Sequence, residues 1–238
     1  SADTSKRVLL LEAGGPDRNP WIHVPVGYFK TLHNPKIDWC YKTAPDSGLN
    51  GRSIDWPRGK TLGGSSSING LVYIRGQSDD YNYWRQLGNV GWAYEDVLPY
   101  FKRAENQEHG GDDYHGSNGP LLVSDLRYKS EICDAFIAAA EEIGIPRNDD
   151  FNGPVQEGVG YFQLTTRKGW RCSTAVAYLK PIRHRKNLNI ATHAHVERIL
   201  FNGAAADTVT GIAYSLMGEP RQAELKPGGE LVLSAGAI

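Results

Sequence analysis

Arg58-Gly-Lys-Thr-Leu-Gly-Gly-Ser-Ser-Ser-Ile-Asn-Gly-Leu-Val-Tyr-Ile-Arg75 decides how the rest of the chain is read. Gly59, Gly63, Gly64 and Gly70 surround three consecutive serines and Asn69. Glycine permits positive φ and lets the backbone approach a ligand closely. Bare N–H groups and the hydroxyls of Ser65, Ser66 and Ser67 can bind anions or carbonyl oxygens. Leu71-Val-Tyr-Ile74 then reads as a buried apolar run. The composition also suits a plain flexible loop. It is not a Walker loop, because no Gly-Lys-Ser/Thr follows at the required glycine spacing. As a whole the stretch reads as a cradle for a phosphate-bearing or ring-bearing group.

Around it lie 238 residues, 40% hydrophobic and 22% charged, the composition of an ordinary globular protein. A net charge of -1 without a long basic run argues against nucleic acid as a partner. No apolar run approaches the ~18 residues of a membrane span, and no signal peptide is visible. The expected location is cytoplasmic, or peripheral to the inner membrane. Cys40, Cys133 and Cys172 are scattered, which suggests reduced thiols, and none has the spacing of a zinc site. The chain lacks an initiator Met and stops just after the strand-like Leu231-Val-Leu-Ser234. An internal fragment is expected.

Upstream of the cradle, Arg7-Val-Leu-Leu-Leu-Glu-Ala-Gly14 reads as a fully buried parallel strand. Glu12 at its end sits where a doubly wound fold binds a ribose, or it is a strand-end glutamate facing solvent. Residues 16–57 are irregular and aromatic-rich, with a turn expected at Asn50-Gly51 between short strands.

Downstream, Asp79 or Asp80 should cap a helix over 81–87 that Gly88 stops. A second helical piece starts at Gly91-Trp92 and is broken or restarted by Pro99. His109-Gly-Gly-Asp-Asp-Tyr-His-Gly-Ser-Asn-Gly119 reads as a mobile lid rather than a metal site, since its spacing fits no standard ligand set. Ser130 should cap a helix whose Ile132, Phe136, Ala139, Ala140 and Ile143 face the core. Gly158 to Thr166 reads as a strand, and Ser173 as the cap of a helix over 174–179. Strands follow at 187–192, 195–201, 209–216 and 230–234, with turn signals at Asn202-Gly203 and Pro227-Gly-Gly229. Three of them suit a β-meander. His193 and His195 should share one strand face, but no third ligand lies nearby, so no metal is expected.

Pro57-Arg-Gly-Lys-x-Leu-Gly-Gly-Ser-Ser-x-x-Asn-Gly70 resembles the first signature of the glucose–methanol–choline (GMC) flavin oxidoreductases. Gln77-Ser-Asp-Asp-Tyr81, Leu98-Pro-Tyr-Phe-Lys102, Phe151-Asn-Gly153, Arg171-Cys-Ser-Thr-Ala175 and His195-Val-Glu-Arg-Ile-Leu200 extend the resemblance over essentially the whole chain. It is strongest to choline-dehydrogenase-like and alcohol-dehydrogenase-like members. The terminal Ser234-Ala-Gly-Ala-Ile238 resembles the opening of the family's second signature.

The resemblance implies FAD as cofactor. Glu12 would hold the adenosine ribose. Gly63, Gly64, Asn69, Gly70, Leu71 and Val72 would line the flavin and its pyrophosphate, and Val196 would present its backbone to the adenine. Ile68 stands where some members attach the flavin through a histidine, so the FAD should be non-covalent. The family's glycine turn and catalytic histidine have no counterpart here, so no catalytic residue is assigned. The implied reaction is oxidation of a primary alcohol, choline-like or other, to an aldehyde, with a quinone, another acceptor or oxygen taking the electrons. The alternatives are a hydroxynitrile lyase of the same fold, or a fragment unable to bind FAD alone.

The implied fold is α/β: an incomplete doubly wound FAD-binding domain with an inserted β-meander, plus a piece of an α+β substrate domain. The expected boundaries are 1–118 and 167–238 for the FAD-binding parts and 119–166 for the substrate-domain segment. An absent first strand would leave an unpaired edge beside Val8–Leu11, and the isolated chain should be poorly soluble.

Overall fold

The structure, a computed structural model, describes residues 1–202 and 207–238. Along the chain run β1 (Val8–Leu11), α1 (Pro20–His23), α2 (Tyr28–Thr31), β2 (Tyr41–Lys42), β3 (Asp55–Trp56), α3 (Ser78–Gln86), α4 (Tyr94–Ala104), β4 (Glu105–Gln107) and β5 (Leu121–Val123). Then come α5 (Glu131–Glu142), β6 (Thr166–Arg167), β7 (Trp170–Arg171), β8 (Leu188–Ala191), β9 (Ala194–Phe201), β10 (Val209–Leu216) and β11 (Glu219–Glu224). The architecture is α/β. The chain divides into two compact units, one of Ser1–Asp17, His33–Gly64 and Ile182–Ile238, the other of Arg18–Leu32 and Ser65–Pro181.

In the first unit β1 pairs in parallel with β8, from Val8↔Leu188 to Leu11↔Ala191. The apolar run of β1 suggested burial on both faces, yet Leu9 is 41% exposed. Among the described residues β1 has a strand on one edge only. An all-apolar strand is fully buried only where elements cover both its faces.

An antiparallel meander in the order β11-β10-β9 completes this unit. Met217 (φ 53) and Gly218 (φ 92) join β10 to β11, and Leu216 pairs with Glu219 across them. This two-residue turn has the positive φ values that match strand twist. The last meander strand is therefore Glu219–Glu224, and residues 230–234, expected to be a strand, form none. Pro220, Arg221 and Gln222 disguise β11, because an edge strand tolerates proline and needs no apolar alternation. The turn expected at Asn202-Gly203 falls on Gly203, outside the described residues. The Asn50-Gly51 turn does form, with φ of 55 and 73, between the antiparallel β2 and β3.

In the second unit α3 starts after Gln77, and Asp80 reaches back so that its Oδ2 accepts the Gln77 N–H at 2.9 Å. Asp80 is thus the third helical residue rather than the cap. Gly88 (φ 99) stops the helix as expected. Helix α4 runs unbroken through Pro99, which corrects the expected interruption. A proline removes one i→i−4 bond, and the turns on either side here keep theirs. Residues 158–166 make isolated bridges, among them Arg147↔Val159 and Val72↔Leu164, instead of a continuous strand. The piece after Ser173 is a single π turn, Ala175–Leu179, with the Lys180 N–H bonded to Ala175 O at 2.8 Å.

Helix α5 bears out the expected core stripe only at Ala140 and overturns it at Ile132, Phe136, Ala139 and Ile143. Ile137 and Ala140 are buried, whereas Ile132, Phe136 and Ile143 are 76%, 70% and 78% exposed. The helix carries two apolar faces, and a helical period cannot say which of them is covered. The expected buried run Leu71–Ile74 likewise alternates: Leu71 is buried while Val72 and Ile74 are about half exposed.

Candidate functional site

The first unit brings the end of β1 against two other segments. Glu12 N–H donates to Ala191 O at 3.0 Å, and Glu12 O accepts from Ala194 N at 2.9 Å. These bonds place Glu12 beside the start of β9, two residues from Val196. Glu12 Oε1 accepts the Gly14 N–H at 2.8 Å, and its second oxygen has no partner among the described residues. Burial pushes this carboxyl up, and the Gly14 N–H offsets part of the rise.

Gly14 and Gly15 hold the other side. A Cβ on Gly14 would stand 1.8 Å from Lys60 O, so no other residue fits without backbone movement. Gly15 O accepts from Leu62 N and Thr61 Oγ1, each at 3.0 Å. This sets Gly63 (φ 89) and Gly64 (φ 54) next in line, and a Cβ on Gly64 would meet nothing within 4 Å. Glu12, Gly63, Gly64 and Val196 therefore belong to one unit. Val196 lies on β9, an edge of the meander, opposite Tyr214.

His193 and His195 do not share a strand face. His193 sits at φ 57 in the turn before β9, with its N–H on Gly14 O at 2.7 Å. His195 packs edge-on to Trp39 at 5.4 Å.

The second unit carries the rest of the motif. Ile68 and Asn69 both donate backbone N–H groups to Ser65 O, closing a tight turn. Ile68 is buried, Asn69 and Gly70 are exposed, and a Cβ on Gly70 would meet nothing within 4 Å. Leu71 (φ 67) buries its side chain and gives its N–H to Asn69 Oδ1 at 3.1 Å. Val72 is 48% exposed beside this turn.

Under the turn lies Arg171, which sequence reading passed over as part of a familiar motif. The β6–β7 hairpin delivers it through Lys168 (φ 50) and Gly169 (φ 81). Its guanidinium donates to Ile22 O at 2.7 Å, Ser66 O at 3.0 Å, Asn69 Oδ1 at 2.8 Å and Asn69 O at 2.8 Å. Arg171 is only 2% exposed, and burial alone lowers its pKa to about 10. Ser66 Oγ accepts the Thr174 N–H at 2.9 Å, a second tie between the two segments.

A buried ion network lies farther along the same unit. Arg75, at the motif's end, gives Nη2 to Glu105 Oε2 at 2.7 Å. His115 Nδ1 meets Glu105 Oε1 at 3.1 Å and its Nε2 meets Asp150 Oδ2 at 2.9 Å. The Asp150 carboxylate first, then Glu105, hold His115 protonated and raise its pKa to about 9. The loop around His115 is thus pinned to the core. Lys102 Nζ also binds the carbonyls of Asp112 and Asp113. This corrects the mobile-lid expectation: a histidine in a glycine-rich loop looks solvent-facing until its carboxylate partners, the buried Glu105 and the part-exposed Asp150, 10 and 35 residues away, are known. A polar cavity of about 560 Å³, lined among others by His109, His115, Arg147, Asp150 and Tyr161, contains none of the cradle residues. Glu108, His109 and Asp125, all exposed, could share a cation, but His109 already bonds Asp125 at 3.1 Å.

Residues 10–238 match the family model described as GMC oxidoreductase. The chain is 45% identical over 239 residues to "Alcohol dehydrogenase [acceptor]" of Pseudomonas putida, covering 100% of this chain and 43% of that protein. It is 42% identical over 243 residues to "Choline dehydrogenase, mitochondrial" of Mus musculus, covering 99% and 40%. The solved pyridoxine 4-oxidase from Mesorbium loti superimposes with a TM-score of 0.88 at 33% identity, over 94% of this chain and 44% of that one. The chain thus spans less than half the length of these relatives.

Proposed function

The chain belongs to the GMC oxidoreductase family, and on that premise we propose that the protein oxidises a primary alcohol to an aldehyde using non-covalent FAD. The observation that carries this reading is the folded signature. In the first unit Gly64 leaves open space where a side chain would stand, and in the second Gly70 does the same beside an exposed Asn69 and Val72. A ring-bearing cofactor fits such a surface, and an adenosine ribose fits the open oxygen of Glu12. Glu12, Gly63, Gly64 and Val196 would serve the first unit's share of FAD, and Asn69, Gly70, Leu71 and Val72 the second's. Leu71 would act through the backbone bend it adopts, since its side chain is core. Non-covalent attachment is supported by Ile68, a buried hydrocarbon at the position where linkage would need a nucleophile.

FAD, when bound, would supply a hydride acceptor for the alcohol carbon, and a base would take the hydroxyl proton. This chain's residues bind and orient the cofactor and supply backbone donors near it. No residue of the chain is assigned as the base. In this reading 1–118 and 167–238 serve the FAD-binding domain and 119–166 the substrate domain. The substrate is choline or another primary alcohol, and the electrons pass to a quinone, another acceptor or oxygen. The dehydrogenase relatives favour this chemistry over the lyase alternative. No described helix is long and apolar enough to cross a membrane; a cytoplasmic location, or one peripheral to the inner membrane, belongs to the same proposal.

The test is the visible spectrum of the full-length protein under anaerobic conditions. Flavin that bleaches with choline or a primary alcohol, and whose colour enters the supernatant after acid precipitation, is expected. Flavin that stays oxidised with every alcohol would favour the lyase. A well-folded protein without flavin would remove the assignment.

A further inference from the structure

Buried cations in proteins are ordinarily paired, because an isolated charge in an apolar interior is costly. The two best-buried arginines of the second unit differ in this respect. Arg75 is paired with Glu105 at 2.7 Å. Arg171 is 2% exposed, and every acceptor around its guanidinium is neutral: the carbonyls of Ile22, Ser66 and Asn69 and the Asn69 amide oxygen. No carboxylate of the described residues pairs with it. The chain keeps a full positive charge directly beneath the exposed turn of the signature.

The same bonds settle which way Asn69 points. Arg171 and the Leu71 N–H can only donate. Both reach the side-chain atom assigned as Asn69 Oδ1, at 2.8 and 3.1 Å, so that atom must be the oxygen. The amide NH₂ of this exposed residue is left as the outward end, and it has no partner among the described residues. The geometry presents a donor polarised by a buried cation, at the residue that the functional reading places against the flavin.

We propose that Arg171 is a positioning residue that fixes Asn69 as a hydrogen-bond donor to the flavin and, through its unpaired charge, raises the reduction potential of the bound cofactor. The inference rests on the FAD reading above. A reduced flavin gains two electrons and carries more negative charge, so a fixed donor and a nearby cation favour the reduced over the oxidised form.

The experiment is the midpoint potential of the flavin in full-length protein, by equilibration with redox dyes, for wild type, Asn69→Asp, Arg171→Met and Arg171→Lys. Asn69→Asp keeps an acceptor on Arg171 while neutralising its charge and removing the donor. It should lower the reduced-to-oxidised ratio at fixed potential about tenfold, the scale of one hydrogen bond to a charged group. For a two-electron couple that is about 30 mV. Arg171→Met should shift the same way, and Arg171→Lys, which keeps the charge, should recover most of the difference. An Asn69→Asp protein with full flavin content and the wild-type potential would overturn the proposal while leaving the FAD reading intact. So would an Arg171→Lys protein shifted as far as Arg171→Met. If Arg171→Met does not fold, Asn69→Asp, a change on an exposed residue, decides by itself. Wild-type protein without flavin would instead overturn the functional reading, and this inference with it.

Discussion

Raising the pH through 9 should loosen the second unit by discharging one side chain, His115. Its imidazole is 4% exposed and lies between Glu105 and Asp150 at 3.1 and 2.9 Å, with Arg75 on the far oxygen of Glu105. Charged, the four groups balance; with His115 neutral, one carboxylate charge is left over, shared between the buried Glu105 and the part-exposed Asp150. The folded pKa is raised from 6.5 to about 9, chiefly by Asp150 and then by Glu105. The stabilisation is therefore fully present below pH ~6.5 and is lost as pH rises through about 9. At 1.36 kcal/mol per unit the gap corresponds to ~3 kcal/mol, and the partial exposure of Asp150 trims that figure. The assay is urea unfolding of the full-length protein and of His115→Gln at pH 7 and pH 10. Other groups that titrate in this range do so in both proteins, so the difference isolates His115. Wild type should lose ~2–3 kcal/mol more than the variant over that interval. At pH 7 the variant should already be less stable by ~3 kcal/mol, the scale of breaking a buried ion pair. Parallel pH profiles for the two proteins would refute the reasoning.

Three further outcomes are expected. Gly14→Ala places a methyl 1.8 Å from Lys60 O and should cost at least ~2 kcal/mol in thermal melts, whereas Gly70→Ala, with nothing within 4 Å, should leave stability within ~0.5 kcal/mol. Equal melting temperatures for these two variants would contradict the close approach at Gly14. Asp38→Asn removes one acceptor from a buried carboxylate that binds the N–H groups of His33, Cys40 and Arg58, and a loss of ~1–3 kcal/mol is expected by denaturant titration; no change would show those bonds to be dispensable. Glu12→Gln should weaken flavin retention on dialysis about tenfold with little effect on melting, and undiminished retention would separate Glu12 from cofactor binding.

The sequence by itself determined the family, because its signature is a contiguous run of glycines, serines and Asn69, part of which, Ser65 to Asn69, closes a local turn. It also determined β1, β8, β9 and β10, the Asn50-Gly51 turn and the stop at Gly88, where periodicity or a positive-φ residue acts over a few positions. The tertiary structure decided what depends on distant partners. The exposed face of α5 followed from which neighbour reached Ile137 and Ala140, and β11 followed from a Met217-Gly218 turn that folded a polar segment onto β10. His115 became a buried ion because Glu105 and Asp150 converge on it. Arg171, 102 residues from Asn69, became the support of the signature's turn only when a hairpin carried it there. Spacing along a chain fixes which side chains share a turn or a face, whereas burial and charge pairing are set by whatever the fold brings against that face.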